Sequence, residues 1–297
     1  MLFTIENERL SVSADTHGAQ LQRVYLKASG TDVLWTALPG GWPGRAPILF
    51  PIVGGLRNGQ YRYQGKIFSM NRHGFARNME FEPGEQTDNS ISYILRDTGQ
   101  TRAQYPFAFR LQSTYTLTGR TIAHRCELWN TGKETMYFSL GFHPAFFWGQ
   151  GDFIELKDTV LAQARYLDPG HGHLLSDIKV PLPFENGRLY NTPALYPKGS
   201  WTIEDCPGKQ VALVSPSRGY RVSVDHDAPF IGLWGGPGAP FTAIEPWYGT
   251  DDPVGASGNL EEKPHIRSLP PRQSWHAEIR ITVLPLPPAE IREQTCG

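Results

Sequence analysis

The feature that most limits what this chain can fold into is a two-residue rhythm cut into short lengths. Phe109, Leu111, Tyr115 and Leu117 share one parity and interleave with Arg110, Gln112, Thr114 and Thr116. After Gly119 the apolar positions Ile122, Cys126 and Leu128 continue on even numbers. In an extended chain successive side chains point to opposite faces, so this pattern predicts a β-hairpin with one buried face. Residues 61–68 read the same way, with Gln64-Gly65 at the turn, and so do 220–224, 230–234 and 275–284. Hardly any window repeats apolar residues at helical spacing, while Thr, Val, Tyr, Phe and Trp favour strands. The chain has 31 glycines and 25 prolines, which punctuate these segments. The expectation is an all-β chain of many antiparallel strands, as a sandwich or barrel. No linker, charge run or fixed-period repeat divides it, so residues 1–297 are expected to form one domain.

The remaining stretches are expected as loops. Residues 42–51 are rich in glycine and proline and lead into a strand. Residues 168–183 and 251–259 are further loops, and the tail from Leu284 onward, with Pro285, Pro287 and Pro288, is expected to be peripheral. A net charge of −1 offers no general attraction for nucleic acid or an anionic membrane. No apolar run is long enough to span a bilayer as a helix, and the first residues lack a basic leader. Cys126, Cys206 and Cys296 are too few and too widely spaced for a disulfide framework or a cysteine zinc site. A cytoplasmic location is the expectation.

Three runs carry the candidate chemistry. Glu245 lies in Ala243-Ile244-Glu245-Pro246-Trp247, where the proline favours extended geometry before it and apolar neighbours would raise the carboxyl pKa. An ordinary salt-bridged glutamate is the alternative. His143 lies in Gly141-Phe142-His143-Pro144-Ala145-Phe146-Phe147-Trp148, either as a buried core histidine or as a proton donor in a ring-lined pocket. His73 lies in Arg72-His73-Gly74-Phe75-Ala76-Arg77, with Arg57 upstream. Nearby positive charge would keep the imidazole neutral and able to meet a hydroxyl. Histidine and carboxylate are the usual proton carriers near neutral pH, and aromatic walls suit the faces of a sugar ring. Asp225-His226-Asp227 has no second cluster with metal-ligand spacing. No phosphate-binding glycine loop, dinucleotide fingerprint or serine elbow is present.

Together with Leu49-Phe50-Pro51-Ile52-Val53-Gly54, these runs resemble, in order and spacing, those of the aldose 1-epimerase (galactose mutarotase) family over nearly the whole chain. The resemblance implies a large antiparallel β-supersandwich with its site in a cleft. It implies Glu245 as general base, His143 as general acid, and His73 and Arg57 as sugar-binding residues. Asp225, Arg77 and Trp247 are further substrate-binding candidates, with Phe142 and Trp234 as walls. No metal or organic cofactor is implied, and the expected partner is a small sugar bound by a monomer or homodimer. The segment 189–195 lacks the acid that the family often places before the strands leading to the glutamate, so Asn191 or Asp225 is expected to replace it. Near the C-terminus Pro270-Pro271-Arg272-Gln273 stands where the family has a proline–glycine–glutamate run. The expected reaction is exchange of the α and β anomers of an aldohexose. The rivals are a glycosidase pairing Glu245 with Asp225, an epimerase of hexose 6-phosphates using Arg57, Arg72 or Arg77, and a non-catalytic sugar sensor.

Overall fold

The computed structural model describes residues 1–287 except Val160, Pro193, Ala194, Pro197, Lys198 and Pro237. Two large sheets dominate, and every pairing between strands is antiparallel. The first runs, edge to edge, through Leu189–Tyr190, Phe153–Leu156, Gln210–Ser215, Tyr220–Asp225, Ser274–Pro285, Thr121–Asn130, Phe109–Thr118, Ser90–Arg96 and Glu82–Gln86. The second runs through Leu174–Leu175, Gln163–Asp168, Ser200–Glu204, Phe230–Trp234, Phe241–Tyr248, Leu140–Phe142 and Ile48–Leu49, and Ala145–Phe147 also pairs with Phe241–Tyr248. A four-stranded sheet over residues 2–32, one small hairpin and a two-stranded pairing of Met136–Phe138 with Arg267–Leu269 complete it. Among the described residues no helix is long and apolar enough to cross a membrane.

The expected hairpin is Phe109–Thr118 with Thr121–Asn130, and burial alternates residue by residue along both strands. The small hairpin Gln60–Tyr63 with Lys66–Ser69 turns on Gln64 and Gly65, both at positive φ, the geometry that matches strand twist in a two-residue turn. Among the described residues the single α-helix, Gly99–Gln104, opens with a capping box between Thr98 and Thr101 and is too short for periodicity to reveal. The tail departs from expectation: Leu284 belongs to a strand, and Leu286 is buried against Phe153 and Val214. Pro288 and Cys296 lie outside the described residues.

The strand Phe241–Tyr248 is buried along its whole length, unlike the alternating hairpin. Its two faces belong to different clusters. Ile244 and Tyr248 join the main core with Phe142, Phe146, Ile231 and Leu233. Phe241 and Ala243 pack instead with Trp35, Ala145 and Phe147, while Trp247 packs with Leu49, Val53 and Phe230. Period two thus gives this strand an inner, core-facing side and an outer side carrying Glu245 among aromatics.

The core also holds His124, stacked on Tyr115 and within 2.9 Å of the Ser113 hydroxyl. Burial pulls its pKa down to about 3, and that of His226 down to about 4. The unfolded chain would bind these protons near pH 6.5, so stability is full above 6.5 and is lost as pH falls toward those values. Each such histidine adds a slope of about 1.4 kcal/mol per pH unit in that window. Replacing His124 by Phe should remove one such increment from the slope of unfolding free energy between pH 4 and 6. An unchanged slope in denaturant titrations would mean that His124 is already charged in the fold.

Candidate active site

Register brings the two proton carriers together. Gly141 pairs with Trp247 and Ala145 with Ala243, so His143, between them, falls opposite Glu245. The amide of Ile244 donates to the carbonyl of Pro144, keeping the strands together where proline interrupts the ladder. His143 Nε2 lies 3.0 Å from Glu245 Oε2. On the other flank Glu245 faces Gly232. Trp247, two residues along and on the same face, spreads its indole over two glycines. A Cβ at Gly141 would come within 2.8 Å of the ring, and one at Gly232 within 2.6 Å. The glycines therefore make the space in which the indole lies beside the carboxylate.

Aromatic rings close the other side. Trp42 lies tilted against the His143 ring at 4.9 Å and edge-on to Trp234 at 5.1 Å, and Trp234 meets His143 at 5.6 Å. The Trp42 carbonyl accepts from the Trp35 indole at 2.8 Å, which ties this loop to the cluster beneath. Glu245 itself is only 1% exposed.

His73 sits at positive φ, unusual for a residue with a side chain, and two hydrogen bonds hold it there. Its amide donates to the Gly54 carbonyl at 2.8 Å, and the Gly54 amide donates to its Nδ1 at 3.0 Å. Phe75 and Ala76 donate to the Phe50 carbonyl, so the runs 49–54 and 72–77 interlock. The His73 ring stands 5.8 Å from that of His143 and 6.2 Å from Trp247.

Electrostatics follow from dryness. Burial pushes the Glu245 carboxyl well above the usual carboxylate range and Asp251 adds to this. The Trp247 indole and the Arg72 charge offset it only in part. Burial likewise pulls the His143 imidazole below its usual range, with Arg77 acting in the same direction. His73 is pulled down by burial first, then by His143, Arg72 and Arg77, as its flanking arginines predict. Four buried polar atoms here have no hydrogen-bond partner among the described residues: His143 Nδ1, Glu245 Oε2, Trp247 Nε1 and Asp251 Oδ2. Glu245 Oε2 is within ion-pair distance of His143 but is not aligned for a hydrogen bond. Buried polar groups are nearly always satisfied, so this cluster of acceptors and a donor fits a ligand rich in hydroxyls.

The structure brings Glu245, His143, His73, Trp247 and Trp234 together, with Arg77 near enough to act on both histidines. Arg77 donates to the Arg72 carbonyl at 3.1 Å. It does not bring Arg57, which is exposed, donates to the Ala256 carbonyl at 3.0 Å and lines a separate pocket with Tyr61 and Arg62. Asp225 must be corrected, because it ends a strand of the other large sheet and its carboxylate accepts from Gln210 at 2.7 Å. The glycosidase pairing of Glu245 with Asp225 thus has no support in the structure. Phe142 must also be corrected: with Gly141 and His143 facing the site, it points into the core, edge-on to His124 at 4.8 Å. Asn191 donates to the Gly149 carbonyl and lines a groove beside Trp148.

Sequence reasoning missed Trp42 and Asp251. Trp42 stood in a glycine–proline loop with no pattern to mark it. Asp251 is fully buried and accepts from Gly55 and from the Arg72 guanidinium. A charged residue six positions after Glu245 was the signal available. Among the described residues, no group of three or more His, Cys, Asp or Glu side chains is placed to hold a metal.

Comparison with known proteins identifies the family of the whole chain. The family model described as aldose 1-epimerase matches residues 1–282. The chain is 32% identical to the protein LacX (chromosomal) of Lactococcus lactis subsp. lactis, over 96% of this chain and 100% of that one. It superimposes with a TM-score of 0.89 on a galactose mutarotase related enzyme from Lactobacillus acidophilus, at 31% identity, covering 96% and 97% of the two chains. A galactose mutarotase-like protein from Lactobacillus casei gives a TM-score of 0.86 at 26% identity, covering 96% and 100%. With its supersandwich, its interlocked runs and a match over almost its full length, the chain belongs to the aldose 1-epimerase family.

Proposed function

We propose that the Glu245–His143 pair interconverts the α and β anomers of an aldohexose or a close derivative. The observation that carries this reading is the 3.0 Å approach of the two buried side chains, among aromatic rings and polar atoms that lack hydrogen-bond partners. Glu245 removes the proton from O1, His143 delivers one to the ring oxygen, the C1–O5 bond breaks and an open-chain aldehyde forms. Rotation about C1–C2 presents the other carbonyl face. Closure returns the O5 proton to His143 and the Glu245 proton to O1, so the enzyme ends as it began.

Proton count makes this workable. The reaction starts from ionised Glu245 and charged His143, whereas burial favours the neutral form of each. Both arrangements carry one proton and no net charge between the pair. A hydroxyl-rich ligand needs only to stabilise a proton shift across the gap, not to import charge into a dry site. Activity therefore falls when the pair gains a second proton and when it loses the first. The acid limb of kcat/KM should lie well below the ordinary imidazole value of 6.5, and the alkaline limb well above the ordinary carboxyl value of 4.5. A profile with an acid limb at 6.5 would contradict the pairing.

The test is polarimetry or NMR on freshly dissolved α-sugar. Catalysis should exceed the buffer rate with galactose or glucose, and comparison of glucose with glucose 6-phosphate separates the phosphate rival. Wild-type protein that matches buffer for every common hexose and its 6-phosphate would leave only the sensor reading.

A further inference from the structure

Asp251 is among the most deeply buried acids of the chain, and its Oδ1 is doubly used. It accepts from the Gly55 amide at 2.6 Å and from the Arg72 guanidinium, which also donates to the His173 carbonyl at 2.7 Å. The next residue, Asp252, donates its amide to the Gly55 carbonyl at 2.9 Å. The Gly54–Gly55 turn is thus held on both sides by residues 251–252. Gly54 is at positive φ, and a Cβ there would collide with the Asp251 carboxylate, so the fit permits only glycine.

That turn determines one further atom. The Gly54 amide can only donate, so the His73 Nδ1 it meets must be unprotonated. Burial and the surrounding positive charge keep the ring neutral, so its one proton is on Nε2. We infer that Asp251 is a positioning residue: by clamping the Gly54–Gly55 turn, its carboxylate fixes His73 as the tautomer that offers an Nε2–H donor beside His143 and Trp247. The catalytic consequence, and that alone, rests on the proposed sugar site. Without the clamp, the Gly55 amide loses its acceptor, a void opens beside Gly54, and His73 becomes free to exchange tautomers.

Long-range 1H–15N spectra of the histidine rings test this without substrate. Wild-type His73 should show a protonated Nε2 and an unprotonated, hydrogen-bonded Nδ1. Asp251→Ala should show mixed tautomers at His73, with kcat/KM lowered by about tenfold to a hundredfold, as expected for a misplaced contact group. Asp251→Asn retains an oxygen for Gly55 and should keep the wild-type tautomer. If Asp251→Ala does not fold, Asp251→Ser, too short to reach the Gly55 amide, is read in the same way. A proton on Nδ1 in the wild type, an unchanged tautomer in Asp251→Ala, or a lost one in Asp251→Asn overturns the inference. Because the spectra need no turnover, a failure of the epimerase reading leaves them interpretable.

Discussion

Glu245→Gln should lower anomer exchange by about 10²- to 10⁴-fold, the usual worth of a positioned proton acceptor. The substitution keeps shape and removes only the basicity. It also replaces a buried carboxyl whose Oε2 lacks a hydrogen-bond partner, so thermal stability should hold or rise slightly. The comparison to make is exchange rate beside melting temperature. Activity lost together with the fold would say nothing about the base, whereas a folded variant at the wild-type rate would remove Glu245 from the chemistry.

Gly232→Val should be the most damaging small change on the outer face of this sheet. Its Cβ would come within 2.6 Å of the Trp247 ring, and the branched side chain adds bulk beyond that. Overpacking of this kind costs about 1–3 kcal/mol. The displaced indole would also shift against Glu245, so kcat should fall along with stability. The atoms struck belong to the six-membered part of the indole, so adding Trp247→Phe should recover much of the stability. A double-mutant cycle with no coupling between positions 232 and 247 would show that the glycine serves another purpose.

Much of this was legible in the sequence because two of the rules involved are local. Alternation located the strands, and the same parity places Gly141 and His143 on one face. Applied consistently, it also assigns Phe142 to the core, since neighbouring residues of a strand cannot share a face. The run 243–247 identified Glu245 through its proline and tryptophan, and the flanking arginines forecast a neutral His73. What stayed hidden depends on how loops fold back. Arg57 and Arg72 are equally plausible as sequence, and only the return of residues 251–259 turns one toward Ala256 and the other toward Asp251. Asp225 likewise ends a strand of one large sheet, whereas Asp251 lies in the loop that follows a strand of the other. Trp42 covers His143 because the Trp35 indole holds its carbonyl, a tertiary contact that no periodicity encodes.

The outer face of Phe241–Tyr248 has a consequence for how such a chain can change length. Adding or deleting one residue within this strand would turn Glu245 inward, among leucines and isoleucines, and present a hydrocarbon neighbour to His143. Length variation among relatives should therefore gather in connections such as 182–188 and be absent from 230–234 and 241–248. A related chain with a one-residue indel there would have lost its base, however well the rest of it aligned.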